Sequence, residues 1–160
     1  MSSPRGAHRE VAGQALTEFA LVVPILLILF MGILDFGRAV YAYNAVSNAA
    51  REGARTAIVN QNATDIRTRA AAQATALGID TTSTSCPPSG TSGVCVQFMT
   101  PDLSASCTTV DIGCVSVVTV KYTFTAITPI IGNLVGSIPM SSTSKEPVES
   151  ACTGNGCPIP

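Results

Sequence analysis

Between Phe19 and Leu34 the chain reads FALVVPILLILFMGIL, without one charged side chain, bounded by Glu18 and Asp35. A run of this kind restricts what the chain can become more than any other feature. It must lie in a membrane, in a signal-peptide core or under a large protein shell. Wound as a helix, it reaches about 24 Å, short of the roughly 30 Å hydrocarbon core of a bilayer. Ala15 to Thr17 lengthen it, and doing so brings Glu18 to the membrane or its edge.

The segment after the run separates these outcomes. FGRAVYAYNAVSNAAREGARTAIV, residues 36–59, has no proline and is rich in alanine, so the helix is expected to continue for about six more turns. Ala45, Ala49, Gly53 and Ala57 recur every four residues and stack small side chains along one face. Such a stripe allows another helix backbone to approach closely. Asn44, Asn48, Arg51 and Arg55 make a polar face. A cleaved signal peptide has no need of this continuation, whereas a helix half in the membrane and half outside it does.

Asn60 to Asn62 interrupt the pattern, and residues 64–77 read as a second helix. Asn62 suits its N-cap, Asp65 its first turn and Gly78 its stop. Beyond Gly78 the composition turns to Thr, Ser, Pro, Gly and Cys. Three strands are expected there, at residues 94–100, 115–125 and 137–148, the middle one (VSVVTVKYTFT) being the strongest. Pro129, Gly132 and Gly136 mark a loop before the third, and Pro139 places that strand at a sheet edge. The fold class is therefore α+β: a long N-terminal transmembrane helix continuing into a soluble half, a second short helix, and a small antiparallel sheet with disulfides. Its parts are a leader at 1–13, the long helix at 14–59 and an extracytoplasmic head at 60–160.

All six cysteines, Cys86, Cys95, Cys107, Cys114, Cys152 and Cys157, lie in the C-terminal half. An even set placed so points to disulfides in an oxidising space, while a zinc site lacks any C-x2-C pair or nearby histidine. Pairing of sequence neighbours is expected: Cys86 with Cys95, Cys107 with Cys114 and Cys152 with Cys157. Each bridge closes a loop of about six to ten residues and contributes about 2 to 3 kcal/mol in the chain-entropy picture. The cysteines put the C-terminal domain outside; Arg5 and Arg9 favour a cytoplasmic N-terminus.

Charge and motifs exclude several functions. Nine Lys+Arg stand against ten Asp+Glu, and no basic stripe offers itself to nucleic acid. The sole histidine, His8, lies in the leader, so a chain without that leader can build neither a Ser-His-Asp nor a Cys-His arrangement. No phosphate- or dinucleotide-binding glycine loop is present. The expectation is a non-enzyme with no cofactor, no metal and no catalytic residue.

One cluster remains, Gly13-Gln14-Ala15-Leu16-Thr17-Glu18-Phe19. A glycine ends a short basic leader, and five residues later a carboxylate opens the apolar run. A carboxylate near hydrocarbon costs about 2.5 to 3.5 kcal/mol at a helix centre and less near the interface, so it needs a partner. A cut after Gly13 creates an α-amino group at Gln14, one helical turn from Glu18.

These residues resemble the prepilin class, in which a dedicated peptidase cuts after the glycine of G-x-x-x-x-E. Over residues 13–59, GQALTEFALVVPILLILFMGILDFGRAVYAYNAVSNAAREGARTAIV is similar to the TadE-like minor pilins, or pseudopilins, of tight-adherence (Flp) pilus systems. Residues 35–38 (DFGR) and 48–55 (NAAREGAR) carry the likeness most specifically, and VTVKYTFTAITPIIG more weakly. Gln14 departs from the Phe or Met common after the cleaved bond. The resemblance implies a structural part in pilus assembly and adhesion, with the membrane, other pilin subunits, the assembly machinery and a prepilin peptidase as partners. It implies an inner-membrane, single-pass location or incorporation into a surface pilus. Two other readings stay open: a secreted disulfide-rich binding domain released by signal peptidase after Val40-Tyr41-Ala42, and a permanently anchored assembly factor.

Overall fold

The computed structural model describes residues 7–152. One helix, α1 (Ala7–Ala57), runs for 51 residues, or about 76 Å at the α-helical rise. Pro24 lies inside it. The sequence after α1 folds into a head: helix α2 (Ala63–Ala72), a 3-10 turn (Thr75–Leu77), strands β1 (Ser92–Met99) and β2 (Val115–Thr125), helix α3 (Pro129–Val135) and strand β3 (Ser137–Pro147).

The strands form one antiparallel sheet in the order β1-β2-β3. β2 occupies the centre because it is the longest run of β-branched and aromatic residues. Its pleat turns Ser116, Val118, Val120 and Phe124 into buried positions, and β1 sets Val94 and Val96 opposite Val120 and Val118. β3 is an edge strand, where Pro139 is tolerated. On the opposite face Thr119 and Thr143 share a hydroxyl hydrogen bond of 2.8 Å.

The hydrophobic core lies between this sheet, α2 and the second half of α1. Ala45, Val46, Ala49, Ala50, Ala54 and Ala57 from α1 meet Ile66 and Ala70 from α2 and Val94, Val118 and Val120 from the sheet. Alanine along that face of α1 lets α2 and the sheet come close to one helix at once. Gly53 marks the tightest approach. A Cβ there would sit 2.9 Å from Val118 Cγ1 and 3.1 Å from Ala70 Cβ.

A polar turn joins α1 to the rest. Gln61 Nε2 donates to the carbonyls of Ala57 (3.0 Å) and Ser150 (2.9 Å), and its Oε1 accepts from the Cys152 N–H. Asn60 Nδ2 donates to Asp65 Oδ2 at 3.0 Å, and Asn60 Oδ1 accepts from the Asn62 N–H at 2.8 Å. Asn62 caps α2 as the sequence suggests, its side chain accepting from the Thr64 N–H at 3.0 Å. Glu149 and Ser150 both donate their N–H groups to the Ile58 carbonyl. The chain leaving β3 is thereby fastened to the end of α1.

Cys86 is bonded to Cys95 and Cys107 to Cys114, as expected from loop length. Cys152 is disulfide-bonded; its expected partner Cys157 lies outside the described residues, as does the start of the leader. The second helix departs from the expected 64–77: it ends at Ala72, and the 3-10 turn carries the chain to Gly78, whose φ of 59° is the left-handed conformation glycine adopts freely. The expected loop at 129–136 is largely helical. Pro129 suits a first helical position, and Gly132 and Gly136 donate to the carbonyls four residues before them.

Candidate functional site

α1 has two halves of opposite character. From Leu16 to Leu34 its large apolar side chains, among them Phe19, Leu21, Leu26, Leu29 and Ile33, point outward and are exposed. From Ala42 to Ala57 one face is covered by the head. The bare half is long and apolar enough to cross a membrane.

Gly13, Gln14 and Glu18, the expected processing residues, lie at the start of this bare half on an unbroken helix. Gln14 Nε2 donates to Glu18 Oε1 at 3.2 Å, which puts the two side chains on one face, one turn apart. Thr17 Oγ1 donates back to the carbonyls of Gly13 (2.8 Å) and Gln14 (3.0 Å). A side chain at Gly13 would meet nothing within 4 Å. The glycine is therefore not demanded by packing inside the chain.

The stripe Ala45, Ala49, Gly53 and Ala57 finds close partners within the chain, α2 among them. Its spacing predicts a neighbouring helix, and within this chain it is buried under α2 and the sheet. The physical reason is the head's own need for a core: α2, β1 and β2 each present an apolar face, and among the described residues no other long helix covers it. The polar face with Asn44, Asn48, Arg51 and Arg55 is turned away from that core.

A feature that sequence reading missed sits where the two halves meet. Asp35 is buried, and its carboxylate accepts the backbone N–H groups of Ile127 (3.1 Å) and Thr128 (3.0 Å), at the corner leading into α3. Arg38 pairs with Asp35 at 3.5 Å and lies over the Phe124 ring, 5.5 Å from its centroid. The residues 35–38 thus fasten the end of β2 and the start of α3 to α1. The signal available beforehand was an acid and a base three residues apart at the edge of an apolar run, which named no distant partner.

Replacing Asp35 with alanine leaves those two N–H groups without their acceptor, at about 1 to 3 kcal/mol for each buried group. The expected result is faster hydrogen exchange at Ile127 and Thr128, with the amides of Val118 and Val120 unchanged. Asp35→Asn, which keeps one acceptor oxygen, should fall between. Elsewhere in the head the carboxylates organise loops. Hydrogen bonds from Ser104 and Thr100 hold Asp102 down to about 2, and Thr82 lowers Asp80 in the same way.

Neither a curated protein nor a solved structure matches the chain. The sequence model of the TadE-like protein family does match, over residues 13–55. That interval takes in the Gly13-to-Glu18 cluster, the bare apolar half of α1, the Asp35–Arg38 fastening and most of the alanine face. Residues 13–55 thus carry a TadE-like domain, which points to a Tad pilus-related protein, on an N-terminal helix long and apolar enough to cross a membrane.

Proposed function

We propose that the chain is a structural minor pilin, or pseudopilin, that takes part in assembling a tight-adherence pilus and performs no catalysis. The observation carrying this reading is the division of α1: an outward-facing apolar half next to a half that serves as the spine of a disulfide-bonded head. Such a helix resides in the membrane first. On entering a filament it must bury the same apolar face again, against the helices of other subunits. Its N-terminus is cytoplasmic and its head extracytoplasmic, where the disulfides persist.

Processing belongs to the same proposal. A prepilin peptidase removes residues 1–13, and the amine it creates at Gln14 is the counter-ion of Glu18, on the same or a neighbouring subunit. Glycine at the cut favours local opening of the helix, being about 1 kcal/mol poorer than alanine in a helix interior. Signal-peptidase release after Ala42 is disfavoured by geometry. Such a cut would sever α1 at a buried residue and remove Asp35 and Arg38, which hold the β2–α3 corner.

Mass spectrometry of the native protein tests the processing step. The expected chain starts at Gln14 and has net charge -2 in place of -1, because Arg5, Arg9 and Glu10 are lost. An intact leader in cells that possess the peptidase contradicts it and favours the permanently anchored factor. A start at Tyr43 favours the secreted domain.

A further inference from the structure

We propose that the corner between β2 and β3, residues 126–138, is a second membrane contact: it lies against the outer edge of the hydrocarbon layer beside α1. This rests on α1 crossing the membrane by its bare half, and the experiment separates the two.

Depth is the first argument. Ile127 and Pro129 share an apolar groove with Leu27, Ile28 and Met31 of α1, and Ile131 reaches Gly32, where an added Cβ would meet its Cδ1 at 3.5 Å. Leu27, Ile28, Met31 and Gly32 all belong to the uncharged run that ends before Asp35. Ile28 lies about 10 Å along the axis from Asp35. If that run is in hydrocarbon, the corner sits at the level of its last two turns.

Composition agrees with that depth. No charged residue occurs between Lys121 and Lys145. Within that stretch Ile127 is 71% exposed and Leu134 85% exposed, with Val135 and Ile138 exposed as well. These side chains continue the apolar surface of α1 sideways and do not form an isolated patch on the head. An apolar surface continuous with a membrane span is covered by the same solvent, lipid.

Backbone polarity supplies the third argument. Lipid offers no hydrogen bonds, so N–H groups at that depth must be satisfied within the protein. Those of Ile127 and Thr128 end on Asp35, Pro129 has none, and Gly132 and Gly136 donate to the carbonyls of Thr128 and Gly132, whereas Ile130 and Ile131 lie in the first turn of α3, where Thr128 gives no side-chain cap. The buried acid at the end of the apolar run then has a purpose. It absorbs donors that water cannot reach.

The experiment places one added cysteine, labelled with bimane, in the full chain at Leu134, at Leu26 or at Ile112. The protein is reconstituted in phosphatidylethanolamine and phosphatidylglycerol vesicles with a doxyl-labelled lipid as quencher. Leu26 reports the span, and Ile112 is an equally apolar, 70% exposed residue in the loop before β2, at the far end of the head. Leu134→Cys alters a side chain that packs on little, so folding is not at issue. The inference expects Leu134 to be quenched several-fold more than Ile112 and to approach Leu26. Quenching at Leu26 with Leu134 no different from Ile112 overturns it and leaves the span intact. No quenching at either removes the span and the inference together. Shielding of Leu134 that grows with protein density but ignores the lipid quencher also overturns it, assigning the corner to a second copy of the chain.

Discussion

Glu18→Leu is expected to leave a membrane-resident, disulfide-bonded chain that no longer supports pilus formation. Glu18 lies on the exposed, bare half of α1, with Gln14 one turn before it as its hydrogen-bond partner. About 14 Å of helix separates it from Leu27, where the β2–β3 corner first reaches α1, so the head has no part in its environment. An acid that merely flanks a membrane span costs little to keep and little to lose. An acid paired with the amine freed at Gln14 behaves differently once both enter a bundle of apolar helices. Removing one member of a buried ion pair costs about 3 to 5 kcal/mol, because the other charge stays behind unpaired. That is enough to exclude a subunit from assembly without touching its insertion or its fold. Fractionation, non-reducing electrophoresis and electron microscopy of cells carrying only this variant check it. Normal piliation would return Glu18 to the role of a membrane-edge acid.

Gly53→Leu acts on the opposite half of the helix, with the opposite signature. Any side chain at this position points into Val118, Ala70 and Ile66, the nearest of them 2.9 Å from where a Cβ would stand. Leucine gains about 1 kcal/mol of helix propensity over glycine. Against this stands overpacking of a closed core, typically about 1 to 3 kcal/mol and occasionally more. The contact here is with strand and helix side chains held by the sheet and α2, which cannot swing aside, so the cost is expected at the upper end. The head should unfold at distinctly lower denaturant, while membrane insertion persists. Gly37→Leu is the control, since nothing lies within 4 Å of a side chain there. Equal stability of the two variants would contradict the packing of the head onto α1.

Much of this architecture is legible from residues alone, and for identifiable reasons. The long helix announces itself through sixteen uncharged apolar residues and then an alanine-rich, proline-free stretch. β2 runs over residues 115–125 as expected, because a run of β-branched and aromatic residues has few alternatives. The Cys86–Cys95 and Cys107–Cys114 bridges agree with short loops. Where the sequence misleads, the missing quantity is a partner far away along the chain. Ala49 and Gly53 declare that something approaches closely, not that it is the chain's own β2 and α2. Asp35 looks like a boundary marker until Ile127 and Thr128 are placed against it. α3 is hidden by Pro129 and Gly132, residues that usually end helices. The short helix tolerates them because the proline falls at the first helical position.

A structural part of a tight-adherence pilus, as proposed, is needed for piliation. Counting surface pili by electron microscopy in cells lacking the chain, with and without its gene restored, tests this. Pili and surface adhesion are expected to be lost without the chain and to return with the unaltered sequence. Pili in normal number on cells that lack the chain would contradict it.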